Sequence, residues 1–286
     1  MEHNKINENY EKYYQIIELL GSGQYGTVYK AKKRGTNEIR AIKIIEIDNN
    51  KDEFMKNIDN ELNSMKLCSN ENENSIKFYE YYIYQENYKD KIAIVMKLCD
   101  KSLQKLLDEK KEGFKSEEIY NIMSQLNNTF KIMNENNIIH RDIKLDNILI
   151  KYNSNNNYIV KLTDYGVSKR LINTIGKTFI GSPLTMAPEI LEGNNNYDNK
   201  CDLWSIGIII YQLYFKEYPY TGQTLVELYK NIDKLGKKLL KKTNNKNLDN
   251  LINSLLQKDP KKRINYEDYF NHPFFKIKYY NINDKI

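Results

Sequence analysis

Short runs of β-branched and aromatic residues dominate the first hundred positions, and apolar residues at helical spacing dominate the rest. Tyr13–Leu20, Thr27–Ala31 and Ile39–Ile47 predict three strands. From Asp52 to Leu67 the pattern changes. Phe54, Ile58, Leu62 and Met65 recur every three to four residues and predict one helix. Ile76–Tyr84 and Lys91–Leu98 return to strand character. Strands and crossover helices do not alternate, so an antiparallel sheet carrying one helix is the expected unit. From Lys101 onward helices take over. Ile119, Ile122, Met123, Leu126, Phe130 and Met133 form one long apolar stripe, and Leu203–Phe215 is apolar nearly all round, as in a helix buried in a large core. Leu225–Ile232 and Leu248–Leu256 are further helices. The pattern predicts an α+β protein whose two regions divide near Cys99–Asp100.

Composition narrows the class. A chain of 286 residues with 40% hydrophobic content can bury a real core in one large or two modest domains. The net charge of +6 is too mild for a dedicated nucleic-acid binder, so no nucleic acid is expected among its partners. Cys68, Cys99 and Cys201 are odd in number and far apart. They fit no disulfide framework and no CxxC metal site, which favours a reducing compartment. Met1–Tyr10 lacks an apolar core, so no secretory leader is expected, and the apolar stretch Ile206–Phe215 is too short for a transmembrane segment. A cytoplasmic location is expected, with the nucleus as the alternative. The runs Asn155–Asn157 and Asn194–Asn196 suit loops.

The chemistry concentrates in His140-Arg141-Asp142-Ile143-Lys144-Leu145-Asp146-Asn147. Asp142 can accept a proton from an attacking hydroxyl, Lys144 can hold charge developing on a phosphoryl group, and Asn147 offers a neutral oxygen to a divalent cation. Phosphoryl transfer needs this inventory, because it rests on positioning and charge stabilisation. Gly21-Ser22-Gly23-Gln24-Tyr25-Gly26-Thr27-Val28 matches G-x-G-x-x-G-x-V between two predicted strands. It reads either as a phosphate-approaching loop or as a glycine-rich hairpin. The strand that follows, where a dinucleotide fingerprint needs a helix, argues against that cofactor. Lys43 on the third strand points into a nucleotide site or into solvent, and Glu61 on the predicted helix could pair with it. Asp164, at the end of the strand Tyr158–Leu162, is a hard oxygen ligand suited to Mg²⁺ or a turn residue.

Taken together and in order, GSGQYGTV, AIK (41–43), the helix glutamate, HRDIKLDN, Asp164-Tyr165-Gly166 and Met186-Ala187-Pro188-Glu189 resemble the eukaryotic protein kinase family. Asp202-Leu203-Trp204-Ser205-Ile206-Gly207 and Arg263 extend the match. The resemblance covers about residues 13–276. It implies a bilobal α+β fold, with a small antiparallel N-lobe at 13–99, a mainly helical C-lobe at 100–276, and short tails 1–12 and 277–286.

The resemblance also implies roles. Lys43 would contact the α and β phosphates of ATP and pair with Glu61. Asp142 would be the catalytic base and Lys144 the γ-phosphate contact, with Asn147 and Asp164 holding Mg²⁺. Gly21, Ser22, Gly23, Gln24, Tyr25 and Gly26 would cover the phosphates. Val28, Ala41 and Leu149 would enclose the adenine ring, Met96 would be the gatekeeper, and Lys97 and Cys99 would lie in the hinge. Glu189 and Arg263 would form a buried ion pair, and Asp202 would brace the catalytic loop. Lys144 and Gly181-Ser182-Pro183 resemble the serine/threonine branch, so the expected partners are protein substrates bearing Ser or Thr. Thr178 is the candidate activation-loop phosphosite, phosphorylated by an upstream kinase or by autophosphorylation, with Arg141 to receive the phosphate.

Three features depart from, or add to, the family pattern. Tyr165 stands where phenylalanine is usual, and its hydroxyl needs a partner if buried. Asp146 is acidic, but Ser102 and Gln212 stand at other positions where acids bind basic substrates, so strong basic preference is not expected. Cys99 reads as a reactive thiol or as packing. An ATP-dependent serine/threonine kinase is the leading reading. A pseudokinase that binds nucleotide and signals by conformation is the alternative.

Overall fold

The computed structural model describes residues 4–6, 8–23, 26–47, 58, 62–70, 72–165, 183–193, 198–235 and 241–276. They fall into two compact units. One holds the described residues up to Lys101 and those from Leu149 to Tyr165. The other holds Ser102 to Ile148 and the described residues from Pro183 onward.

The first unit is built on a six-stranded sheet of β1 (Asn4–Ile6), β2 (Tyr14–Gly23), β3 (Gly26–Lys33), β4 (Ile39–Glu46), β5 (Phe78–Glu86) and β6 (Lys89–Lys97), in the order β1-β5-β6-β4-β3-β2. β2 to β6 pair antiparallel, as their β-branched and aromatic content predicts. β1 is the exception to the expected antiparallel sheet, since it runs parallel to β5. Of its three residues only Ile6 favours a strand, and the edge of β5 supplies the ladder. The predicted helix appears as α1, helical over 62–70, with Ile58, Leu62, Met65 and Cys68 buried. Phe54 lies outside the described residues.

One sheet face is closed by an aromatic cluster. The 3-10 turn Tyr10–Lys12 brings Tyr10 against Tyr84, and Tyr13 and Tyr14 pack around Tyr82. The strand predicted at Ile76–Tyr84 begins two residues later. The amide of Ile76 leaves the ladder and donates to Leu162 O (2.8 Å). A second, three-stranded sheet is ordered β7 (Lys101–Ser102), β8 (Ile148–Tyr152) and β9 (Tyr158–Leu162). In the β8–β9 turn, Asn153 Oδ1 accepts from the amides of Asn155 and Asn157, both at 3.0 Å. That is the loop use expected of this asparagine run; Asn194–Asn196 lie outside the described residues.

The second unit is helical: α2 (Leu103–Glu109), α3 (Ser116–Glu135), α4 (Pro188–Leu191), α5 (Lys200–Phe215), α6 (Leu225–Leu235), α7 (Lys246–Leu255), α8 (Tyr266–Phe270) and α9 (Pro273–Lys276). The α3 stripe is buried throughout, and α5 is buried continuously from Cys201 to Leu213. Gly207 lets α5 approach α7 closely, since a Cβ there would come within 2.8 Å of Leu255 Cβ. Trp204 stacks on Tyr220 with ring centroids 5.5 Å apart, in a cluster with Ala187, Cys201 and Ile208. Asn245 caps α7 by accepting from the amides of Asn247 and Leu248. Among the described residues no helix is long and apolar enough to cross a membrane.

Candidate active site

In the first unit the glycine motif is the β2–β3 hairpin itself. Ser22 faces Thr27 and Gly23 faces Gly26 across the register, and Gln24 and Tyr25 lie outside the described residues. Gly26 sits at φ +110°, and a Cβ there would lie 2.3 Å from Ile44 O. Glycine is therefore required both by the dihedral and by the approach of β4. The hairpin geometry is compatible with both readings of the motif.

Val28 pairs with Lys43 across β3–β4, and Ala41 pairs with Met96 across β4–β6. Lys43 is buried, and its Nζ lies 2.8 Å from Asp164 Oδ1. Solvation of that lysine is excluded by burial, and a simple turn role for Asp164 by the ion pair. Glu61 lies outside the described residues. Asp164 follows β9 at φ +60°, a left-handed conformation that aspartate tolerates better than most residues.

The predicted hinge runs from the end of β6. Lys97 donates its amide to Lys77 O (2.9 Å) and Asp100 donates to Ile150 O (2.9 Å), so both ends are tied to backbone. Met96 is buried, and Leu149, on β8, is half-buried. Burial pushes the Cys99 thiol up to about 11, even with Lys161 and Lys151 nearby pulling it down. This supports packing over the reactive-thiol reading.

In the second unit the loop His140–Asn147 is held from beneath. Asp202 is fully buried, and its two carboxylate oxygens accept from the amides of His140 (2.7 Å) and Arg141 (2.8 Å). Burial drives the Asp202 carboxyl above its ordinary range, while His140 and the two amides pull the other way. Arg141 takes φ +66°, which these two bonds support. Asn147 Nδ2 donates to Asp142 O (2.7 Å) and Asp142 Oδ2 (2.9 Å), and Lys144 Nζ lies 3.1 Å from the same Oδ2. The 3-10 turn Leu145–Asn147 thus gathers an acid, a cation and an amide. Asp146 is exposed, whereas Gln212 is buried.

Arg263 grips Glu189 bidentately, and Lys200 donates to the carbonyls of Pro260 and Arg263, which fastens α4, α5 and the segment before α8. Thr178 and Ser182 lie outside the described residues. Tyr165 is buried, and its hydroxyl donates to Ser75 Oγ at 2.6 Å. Ser75 and Asn74, which grips Val160 O at 3.0 Å, carried no signal in the sequence. The one pointer to such a partner was the need of a buried Tyr165 hydroxyl for one.

A buried lysine paired with a half-buried aspartate in the unit that carries the glycine hairpin, and a separate aspartate–lysine–asparagine loop, have the makings of a phosphoryl-transfer domain. The chain matches the protein kinase domain model over residues 14–275 and belongs to that family. It is similar to the serine/threonine-protein kinase pakG of Dictyostelium discoideum, with 33% identity over 93% of this chain and 22% of the relative. It is also similar to the serine/threonine-protein kinase atg1 of the same organism, with 34% identity over 92% of this chain and 39% of the relative. A third relative is calcium-dependent protein kinase 5 of Plasmodium berghei, with 34% identity over 97% of this chain and 48% of the relative. The chain spans less than half the length of each.

Proposed function

We propose that this chain is the catalytic domain, about residues 13–276, of an ATP-dependent protein serine/threonine kinase. The observation that carries the reading is the Lys43–Asp164 pair, two side chains 121 positions apart brought to 2.8 Å with the lysine buried and the aspartate half-buried. An unmatched lysine would be costly there, so the pair is a pre-built point of charge.

The residues present fit the groups this reading requires. Gly21 and Gly23, where an added Cβ would meet open space, suit the approach of a phosphate, and Lys43 would bind the α and β phosphates. Asp164 and Asn147 offer hard oxygens; Asn147 Nδ2 is spent on Asp142, which leaves its Oδ1 as the donor for a cation. Val28, Ala41, Met96, Lys97, Cys99 and Leu149 would bind adenine. Bound Mg·ATP would supply the transferable γ-phosphoryl group.

Asp142 accepts the proton of the incoming Ser or Thr hydroxyl at its carboxylate, whose plane is fixed by Asn147 and Lys144. Lys144 holds the charge that builds on the transferred group. The relatives bearing serine/threonine-protein kinase names support hydroxyl substrates of that class. Phosphorylation of Thr178, by an upstream kinase or by the chain itself, is the proposed activation step. The odd number and wide spacing of Cys68, Cys99 and Cys201, which suit a reducing compartment, favour action in the cytoplasm.

Transfer of label from γ-labelled ATP to the chain itself and to a mixed Ser/Thr peptide library tests the reading. Transfer that disappears in Asp142→Asn supports it. Nucleotide binding with no transfer, from protein phosphorylated at Thr178 as well as from unmodified protein, would leave the pseudokinase reading in its place.

A further inference from the structure

Asp164 is held on two sides. Lys43 takes its carboxylate, and the residue that follows it is pinned elsewhere in the first unit. The Tyr165 ring is 3% exposed, and its hydroxyl bonds to Ser75 Oγ at 2.6 Å, with the Cys68 thiol of α1 beside it. Ser75 does not move freely. The segment 72–76 is zipped to β9: Ser75 bridges to Leu162, Ile76 donates to Leu162 O (2.8 Å), Leu162 donates to Asn74 O (2.8 Å), and Asn74 Nδ2 donates to Val160 O (3.0 Å). Lys161, also buried, reaches Glu73 O from the same strand. Ser75 is therefore tied to the strand that leads into Asp164. Three residues beyond Leu162, the chain returns to it through the Tyr165 hydroxyl. The span between includes Asp164 in the left-handed region, a conformation that costs free energy unless its surroundings over-determine it.

A phenyl ring at position 165 would fill the same volume but leave its direction to packing alone. A hydroxyl bonded to a fixed serine selects one orientation of the ring and so one path for the backbone before it. We propose that the Tyr165–Ser75 hydrogen bond is a positioning latch that holds Asp164 turned towards Lys43, ready for a divalent cation bound with nucleotide. Tyr165 and Ser75 act through Asp164 and touch no reacting atom. The role of Asp164 towards the cation rests on the proposed function; the latch itself rests on the geometry of the first unit.

Tyr165→Phe, Ser75→Ala and the double variant separate positioning from packing. The measurements are thermal stability and the affinity for a non-hydrolysable ATP analogue with Mg²⁺ and with EDTA. Each single variant leaves a buried hydroxyl short of a partner and loses stability, and the double variant, with both hydroxyls gone, regains part of it. The Mg²⁺-dependent gain in affinity falls about tenfold in all three, the scale of one lost buried hydrogen bond, and does not return in the double variant. An undiminished Mg²⁺-dependent gain in the folded single variants, or its return in the double, would overturn the latch.

A second measurement needs no nucleotide. Lys43→Met costs less stability in the Tyr165→Phe background than in the parent if the latch holds Asp164 against Lys43, whereas strictly additive costs overturn it. Absence of any Mg²⁺-dependent gain in the parent protein would instead remove the proposed function, and this cycle would then decide the latch alone.

Discussion

Arg263 holds Glu189 through both terminal guanidinium nitrogens, at 2.7 and 2.9 Å, with the arginine side chain fully buried and 74 positions between the two. The same guanidinium donates to Lys200 O and Gln257 O and lies over the Trp204 ring. Glu189→Ala leaves this cation buried without its counter-charge, which costs about 3–5 kcal/mol. Arg263→Lys keeps the charge but loses the fork and most of the carbonyl contacts, so it destabilises almost as far. Urea unfolding of the three proteins checks this. A loss under about 1 kcal/mol for Glu189→Ala would contradict it.

Asp142→Asn removes the proposed proton acceptor while keeping the side chain's size. Phosphotransfer then falls about 10²–10⁴-fold, and nucleotide affinity changes little, because Asp142 is not among the proposed phosphate, adenine or cation contacts and asparagine keeps an oxygen to accept from Asn147. Parallel measurement of transfer rate and nucleotide Kd checks the split. Full transfer by purified Asp142→Asn would show that another group takes the proton.

Much of this architecture is legible in the sequence because its signals are local. The residues from His140 to Asn147 lie within one loop, so the candidate group of Asp142, Lys144 and Asn147 is legible from the sequence, although their mutual contacts are seen only in the structure. The α3 and α5 helices follow from 3.6-residue periodicity, which is also local. Lys43 and Asp164 are legible only as members of a set, since each alone reads as a solvated lysine or a turn. Contacts set by tertiary structure left no trace. Ser75 became a partner of Tyr165 across 90 positions because the segment around it joins β9. β1 pairs with β5 with Ile6 as its one strand-forming residue, because an existing edge supplies its hydrogen bonds. Lys161 is not singled out in the sequence, and it is buried with its ammonium reaching a backbone carbonyl.

Cys99 is a poor target for alkylation. With its thiol pushed up to about 11 by burial, roughly one molecule in four thousand carries the thiolate at pH 7.4. Iodoacetamide modifies Cys99 in the folded protein on the order of a hundred times more slowly than in urea, and the folded rate climbs about tenfold per pH unit through neutrality. Mass spectrometry of quenched digests follows the reaction. Equal rates in folded and unfolded protein would show that the thiol is neither shielded nor raised.

His272 makes stability depend on pH near neutrality. Its ring is buried beside α9. The amide of Phe274 donates to Nδ1 at 3.2 Å, so Nδ1 is the acceptor, and Nε2, 2.8 Å from Asn250 Oδ1, carries the proton and donates. A second proton would have to displace the Phe274 amide. Burial accordingly lowers the His272 pKa below 6.5. The unfolded chain then binds the proton more readily than the folded one, and stability rises with pH across this window. The contribution is fully present above about 6.5 and is lost as pH falls towards and through the folded value. His272→Gln keeps a donor for Asn250 and cannot protonate, so its unfolding free energy falls less between pH 7 and pH 5 than that of the parent. Guanidinium titrations at those two pH values measure the difference, and equal slopes for the two proteins would exclude His272 as the source.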